Sequence, residues 1–170
     1  MGELRLSEND YATLTRLEEA YERKDLSYFK TLLSSSKCFP LLLRVHAVCM
    51  LEHIGDESVV PNLCSVLKHD QSPLTRHEAA FTLGQLGHRS AVPALIEATL
   101  NDESAIVWHE SAVALSSIGD DRALPELEKA IADNDEDVSN SALIAFEYLS
   151  YLKRKSSTMK ETALKPNIRL

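Results

Sequence analysis

The chain has 170 residues and a formal net charge of −8, with 18 Lys and Arg against 26 Asp and Glu. This length predicts one domain with a sizeable core, and five Gly and six Pro with few aromatic residues favour helices over a sheet. The acidic balance argues against nucleic-acid binding, because phosphate contacts need clustered Lys and Arg. It suits a basic partner, or it simply keeps the protein in solution.

Three cysteines, Cys38, Cys49 and Cys64, bear on the compartment. They are odd in number, show no CxxC spacing, and two of them lie on apolar helix faces, so we expect small buried thiols in a reducing environment. No apolar run approaches the length of a membrane span, and the first ten residues lack the basic-then-apolar order of a signal peptide. The sequence therefore predicts a cytoplasmic protein without membrane contact.

The first predicted elements are two helices, over residues 8–24 and 26–34, which form a capping pair. Three similar segments follow, at 43–70, 74–102 and 106–134, with a period of about 32 residues. Each segment has a Gly and, six residues later, a Pro in the same place: Gly55 and Pro61, Gly87 and Pro93, Gly119 and Pro125.

Each unit is predicted to be a helical hairpin. Ala79, Leu83 and Leu86 form an apolar stripe with helical spacing, and Gly87 stands where a left-handed C-terminal cap is favoured. Pro93 then suits the first turn of a second helix, where its missing N–H costs nothing. Such hairpins must stack to cover their apolar faces. The pattern is typical of HEAT repeats and predicts an all-α HEAT-repeat α-α superhelix (solenoid) of about four repeats plus the N-terminal capping helices.

The last repeat is degenerate. Residues 138–152 resemble the first helix of a unit but lack the Gly and the second helix, and the composition then becomes basic and polar. We predict a HEAT-repeat domain over residues 1–152 and a basic, flexible C-terminal tail over residues 153–170.

A His-Glu pair occupies the same place in two successive units, as His77-Glu78 and His109-Glu110. Equivalent side chains of stacked helices project side by side, about 8–10 Å apart, so two imidazoles can converge on one ion. Two His and one carboxylate would supply three ligands and leave positions open for water, dioxygen or substrate, as catalytic metal sites do. The small residues Ala80 and Gly84 on this face predict open space beside the site. The candidate metal ligands are His77, Glu78, His109 and Glu110.

The same pair of motifs can also arise without a metal, and the sequence does not decide between the two cases. A His-Glu pair in a helix is commonly solvated, duplication of a repeat can copy an inert dipeptide, and Arg76 is available to pair with a nearby carboxylate. Zinc is disfavoured because no thiol lies near either pair in the sequence. We interpret Trp108 as a packing residue or a neighbour of the site.

The segments LTRHEAAFTLGQLG and IVWHESAVALSSIG resemble the paired motifs of the deoxyhypusine hydroxylase family, and the resemblance covers residues 40 to 152. Members are di-iron monooxygenases built from two four-repeat halves, and this chain resembles one half. The resemblance implies one Fe(II) per protomer, bound by His77, His109 and Glu110, and dioxygen as co-substrate. It makes Glu78 the catalytic candidate, beside the bridging oxygen species, water or substrate amine.

The resemblance also implies a homodimer that assembles the two-iron centre, and a substrate that is an amine-containing small molecule or a modified lysine on a protein. Trp108 departs from the family, which usually has Arg there, so the substrate is not defined. The competing hypothesis is a metal-free HEAT-repeat scaffold for protein–protein interaction, similar to the repeats of light-harvesting lyases.

Overall fold

The computed structural model describes residues 6–35 and 38–164, and the side chains of these residues up to residue 156. The described ranges contain helices and turns but no strand, so the predicted all-α class is confirmed. The helices are α1 (Glu8–Glu22), α2 (Leu26–Ser34), α3 (Leu41–Ile54), α4 (Val60–His69), α5 (Pro73–Leu86), α6 (Val92–Asn101), α7 (Ala105–Ile118), α8 (Leu124–Ala130) and α9 (Glu136–Leu164).

The ends of the helices follow from local sequence. Ser7 begins α1 with a capping box, in which its side chain accepts a hydrogen bond from the Asp10 N–H while Asp10 accepts one from the Ser7 N–H. Gly55, Gly87 and Gly119 end α3, α5 and α7 at φ values of 72°, 70° and 68°, a left-handed conformation that glycine adopts without strain. The predicted caps are therefore confirmed. Proline stands in the first turn of each of α4, α6 and α8, also as predicted.

The hairpins stack into two layers. The first helices, α1, α3, α5, α7 and α9, pack side by side in one layer, and the second helices, α2, α4, α6 and α8, form the other. Fully buried leucines fill the space between the layers and recur at the repeat spacing, with Leu51, Leu83 and Leu115 on the first helices and Leu63, Leu95 and Leu127 on the second. A continuous core of this kind is what makes a stack of hairpins stable when a single hairpin is not.

Small residues bring α5 and α7 close together. A Cβ atom on Gly84 would lie 2.9 Å from both the Cα and the Cβ of Ala114, and Ala80 and Ala112 are also buried. The sequence interpretation of these residues as open space beside a metal was wrong for Ala80 and Gly84. They are small because two helices meet there, and the contact fixes the spacing of the two His-Glu pairs.

Helix α9 continues to Leu164 and so crosses the predicted boundary between residues 152 and 153. The division of the chain into a domain and a flexible tail stays a prediction, and residues 165–170 lie outside the described part. None of the described helices is long and apolar enough to cross a bilayer. The cytoplasmic location also stays a prediction.

Candidate functional site

The two His-Glu pairs lie next to each other on the outer surface of the first layer, on α5 and α7. His77 Nε2 lies 3.5 Å from Glu110 Oε2, although the two residues are 33 positions apart. The His77 side chain is 31% exposed and that of Glu110 is 15% exposed, so the contact is sheltered yet accessible. The structure therefore brings together one histidine of the first pair and the carboxylate of the second.

A similar contact, from the histidine position of one first helix to the glutamate position of the next, is found between α7 and α9. His109 Nδ1 lies 2.9 Å from the Ser141 hydroxyl, and Ser141 holds the place in α9 that Glu110 holds in α7. This hydrogen bond occupies Nδ1 and leaves Nε2 as the nitrogen of His109 that could bind a metal. Each histidine therefore contacts a residue of the following first helix: His77 contacts Glu110, and His109 contacts Ser141.

Glu78 contacts the preceding helix. The thiol of Cys49 on α3 donates a hydrogen bond of 3.6 Å to Glu78 Oε1. Burial raises the pKa of Cys49, and the negative charge of Glu78 raises it further. A protonated thiol therefore holds this carboxylate against α3. Cys49 is a half-buried free thiol, so the sequence argument against zinc, that no thiol lies near either pair, was wrong.

A cleft of about 400 Å³ opens beside the two histidines. It lies between the N-terminal turns of α7 and α9, so a ligand there could reach both imidazoles. Its lining combines both histidines with an aromatic, an acidic and several small or polar residues: His77, Ala105, Ile106, Trp108, His109, Asp137, Asn140 and Ser141. Trp108, interpreted from the sequence as a packing residue or a neighbour of the site, is nearly buried and forms one wall.

The donor set can be tested for its fit to a metal ion. Two ligands that each lie about 2.1 Å from one ion are separated by roughly 3.0–3.4 Å, close to the 3.5 Å between His77 Nε2 and Glu110 Oε2. Imidazole and carboxylate donors suit iron, and His77 Nδ1 is buried without a hydrogen-bond partner in the described part of the chain. Within residues 6–35 and 38–164, no three His, Cys, Asp or Glu side chains lie together closely enough to hold a metal. His77 and Glu110 are therefore already placed to bind one metal ion, and a third side chain would have to rotate toward them to complete the site.

Two buried ion pairs position α5. Arg76 donates hydrogen bonds of 2.8 and 2.9 Å to the two carboxylate oxygens of Asp102, and Arg44 pairs with Asp70 in the same way one repeat earlier. Pairing of Arg76 with a carboxylate was one of the possibilities left open by the sequence, and this is what the structure shows. The signal was present in the sequence, because both arginines and both aspartates are 32 positions apart.

The ion-pair series stops at the candidate site. Trp108 holds the position in α7 that Arg44 and Arg76 hold in α3 and α5, and it lines the cleft. Because Arg76 directly precedes His77, its pairing with Asp102 also fixes the backbone that carries the first candidate ligand. Arg76 thus holds α5 in place through an ion pair, whereas Trp108 on α7 forms part of the cleft wall.

Comparisons with known proteins agree with this architecture. A family model described as HEAT repeats matches residues 60–147. No curated protein matches the chain. Among solved structures, human deoxyhypusine hydroxylase in complex with glycerol is similar, with 25% sequence identity and a TM-score of 0.71, over 83% of this chain and 49% of that chain. The chain thus spans about half the length of that hydroxylase.

Proposed function

The chain belongs to the HEAT-repeat family, and we propose that it is an iron-dependent monooxygenase of the deoxyhypusine hydroxylase type. The observation that carries the proposal is the approach of His77 to Glu110 across two repeats, at the edge of a cleft that His109 also lines. The similarity to a hydroxylase supports the reaction class. In this proposal the substrate is a small molecule or a modified lysine that bears an amine.

Each residue of the site has a distinct role in the proposal. His77 and Glu110 are the preset ligands, and His109 becomes the third by turning its Nε2 toward them while Ser141 holds its Nδ1. A hydrogen bond on the second nitrogen fixes the orientation and tautomer of a ligating imidazole. Bound ferrous iron would supply the open positions and the electrons with which dioxygen is activated.

The remaining polar groups suit a cationic substrate. The Asp137 carboxylate and the Trp108 ring both line the cleft, and a protonated amine is attracted by a carboxylate and by an aromatic face. Glu78, which accepts a hydrogen bond from the Cys49 thiol, is a carboxylate that could contact a substrate amine or a water molecule. Hydroxylation would insert one oxygen atom of dioxygen into a C–H bond of the substrate, and the second would leave as water after taking up two electrons from an external reductant and two protons.

We further propose that two copies form the complete enzyme, with one iron in each. The similar hydroxylase is about twice as long as the matched region, since this chain covers 49% of it. One protomer offers a single set of two His and two Glu, which is enough for one ion but not for a two-iron centre. A symmetric dimer is the commonest way for a chain to double a site.

The test is the iron content of the purified protein, measured by elemental analysis after anaerobic reconstitution with ferrous iron. We expect about one iron per chain, and loss of it in a His77→Ala/His109→Ala variant. A His53→Ala/His69→Ala variant is the matched control, because it removes two exposed histidines that do not line the cleft. Unchanged iron in the first variant, or equal loss in both, contradicts the proposed ligands.

The alternative is a metal-free scaffold that binds another protein. It is favoured by the exposed apolar residues on the first layer and by the absence of three gathered metal ligands in the described ranges. Protein that takes up no ferrous iron under anaerobic conditions would favour the scaffold and reject the oxygenase.

A further inference from the structure

The outer surface of the first layer carries two rows of exposed apolar side chains, one on each side of the His-Glu pairs. The row one turn before the pairs, which we call the leading row, consists of Leu42, Leu74 and Ile106. The row one turn after them, the trailing row, consists of Phe81, Val113 and Ile144. Leu74 precedes His77 by three residues and Phe81 follows it by four, which are the spacings that place side chains on one helix face.

The two rows form an ordered surface. The leading row repeats at the same position of α3, α5 and α7, and the trailing row repeats on α5, α7 and α9, which pack in that order. Single exposed apolar residues need no explanation, but contiguous apolar patches that border polar groups mark interaction sites. Neither row contributes to the core between the two layers. Burial within the protomer therefore does not account for them.

A second copy of the chain matches this surface by symmetry. When two identical faces meet about a two-fold axis lying in the interface, the central row of one copy meets the central row of the other. The flanking rows then meet each other, whether the axis runs along the helices or across them. Apolar side chains of one copy then contact apolar side chains of the other, and the His-Glu pairs of the two copies face each other. The similar hydroxylase, of which this chain covers about half, supports a second set of repeats as the occupant.

We infer that the leading and trailing rows are the interface through which two copies of this chain dimerise, with the His-Glu pairs enclosed between them. The inference deepens the proposed function by naming the surface that brings the two metal sets together. The evidence for the interface is the two exposed apolar rows. Only the conclusion that the dimer brings two metal sites together rests on the proposed function.

The carboxylates at the centre of this interface act against it. Glu78 and Glu110 from each copy place four negative charges in one enclosed region, and like charges brought together across an interface oppose association. Bound cations or neutral side chains would remove this repulsion. A Glu78→Gln/Glu110→Gln variant therefore tests the apolar rows without this repulsion, because it lacks both of the carboxylates that would repel their counterparts or bind a metal.

The experiment is sedimentation velocity of this double-Gln protein over a concentration series, with a reductant present because Cys38 is exposed. We expect a dimer. Adding Val113→Asp from the trailing row or Ile106→Asp from the leading row should weaken dimerisation at least about tenfold, since each buries an unpaired charge. Tyr11→Asp on α1 is the matched control: Tyr11 is 60% exposed and lies outside both rows, so we expect less than a twofold change.

Circular dichroism establishes that each variant is folded, which the exposure of the substituted side chains favours. A double-Gln protein that stays monomeric at every concentration overturns the inference, as does a dimer that tolerates both added aspartates. The iron measurement on the unsubstituted protein is separate. If the double-Gln protein is a dimer but the unsubstituted protein binds no iron, the interface is supported and the oxygenase is contradicted. If the unsubstituted protein binds iron but its double-Gln form is monomeric, the oxygenase is supported and the interface is contradicted.

Discussion

Replacing Asp102 by Ala should lower the free energy of unfolding by about 3 kcal/mol, the lower end of the range for breaking a buried ion pair. The Arg76 and Asp102 side chains are only 7% and 9% exposed, and two hydrogen bonds of 2.8 and 2.9 Å join them. Within the described part of the chain, truncation leaves the buried guanidinium with one hydrogen bond, to the backbone carbonyl of Asp70. Glu103, 3.8 Å from Arg76 and highly exposed, offsets part of the loss.

The assay is chemical denaturation followed by far-UV circular dichroism, with the melting temperature as a second readout. About 3 kcal/mol corresponds to a fall of roughly 6–12 °C in Tm for a protein of this size. The matched control is Glu97→Ala, which breaks the Lys68–Glu97 pair. That pair has similar distances, 2.7 and 2.9 Å, but both side chains are 52% exposed. We expect a loss of less than about 1 kcal/mol there, because water and salt screen exposed charges.

A second variant separates the lost attraction from the stranded charge. Arg76→Met/Asp102→Ala removes both charges, so we expect it to be more stable than Asp102→Ala alone by at least about 1 kcal/mol. Equal losses for Asp102→Ala and Glu97→Ala would refute the reasoning, because burial would then make no difference. A double variant less stable than Asp102→Ala would show that the arginine is stabilising without its partner.

Two further changes test the packing and the orientation of the site. Gly84→Val should destabilise the fold by about 1–3 kcal/mol through overpacking against Ala114, and adding Ala114→Gly should recover part of the loss, as denaturation would show. Full stability of Gly84→Val would mean that α5 and α7 are not in firm contact. Ser141→Ala removes the hydrogen-bond partner of His109 Nδ1, so ferrous iron affinity measured by anaerobic titration should fall about 10–100-fold. An unchanged affinity would remove His109 from the proposed ligands.

The sequence alone determined the hairpins and their stacking. Gly55, Gly87 and Gly119 end helices through a left-handed conformation, and the proline that follows each of them starts the next helix. These signals act through neighbouring residues in the chain, so they can be identified without knowledge of the tertiary structure. The 32-residue period then required stacking, because a single hairpin cannot cover its apolar face. The position of the two His-Glu pairs on adjacent helices followed from the same period.

The tertiary structure decided which partners these residues meet. Equal spacing in sequence suggested that His77 and His109 would act side by side. In the structure each side chain of the pairs has a different partner: His77 lies near Glu110, His109 is hydrogen-bonded to Ser141, and Glu78 to Cys49. The reason is the offset between packed helices, which depends on how the side chains of α5 and α7 fit together and not on the period. Small residues that suggested open space set this offset instead, because Gly84 allows the backbone of α7 to approach.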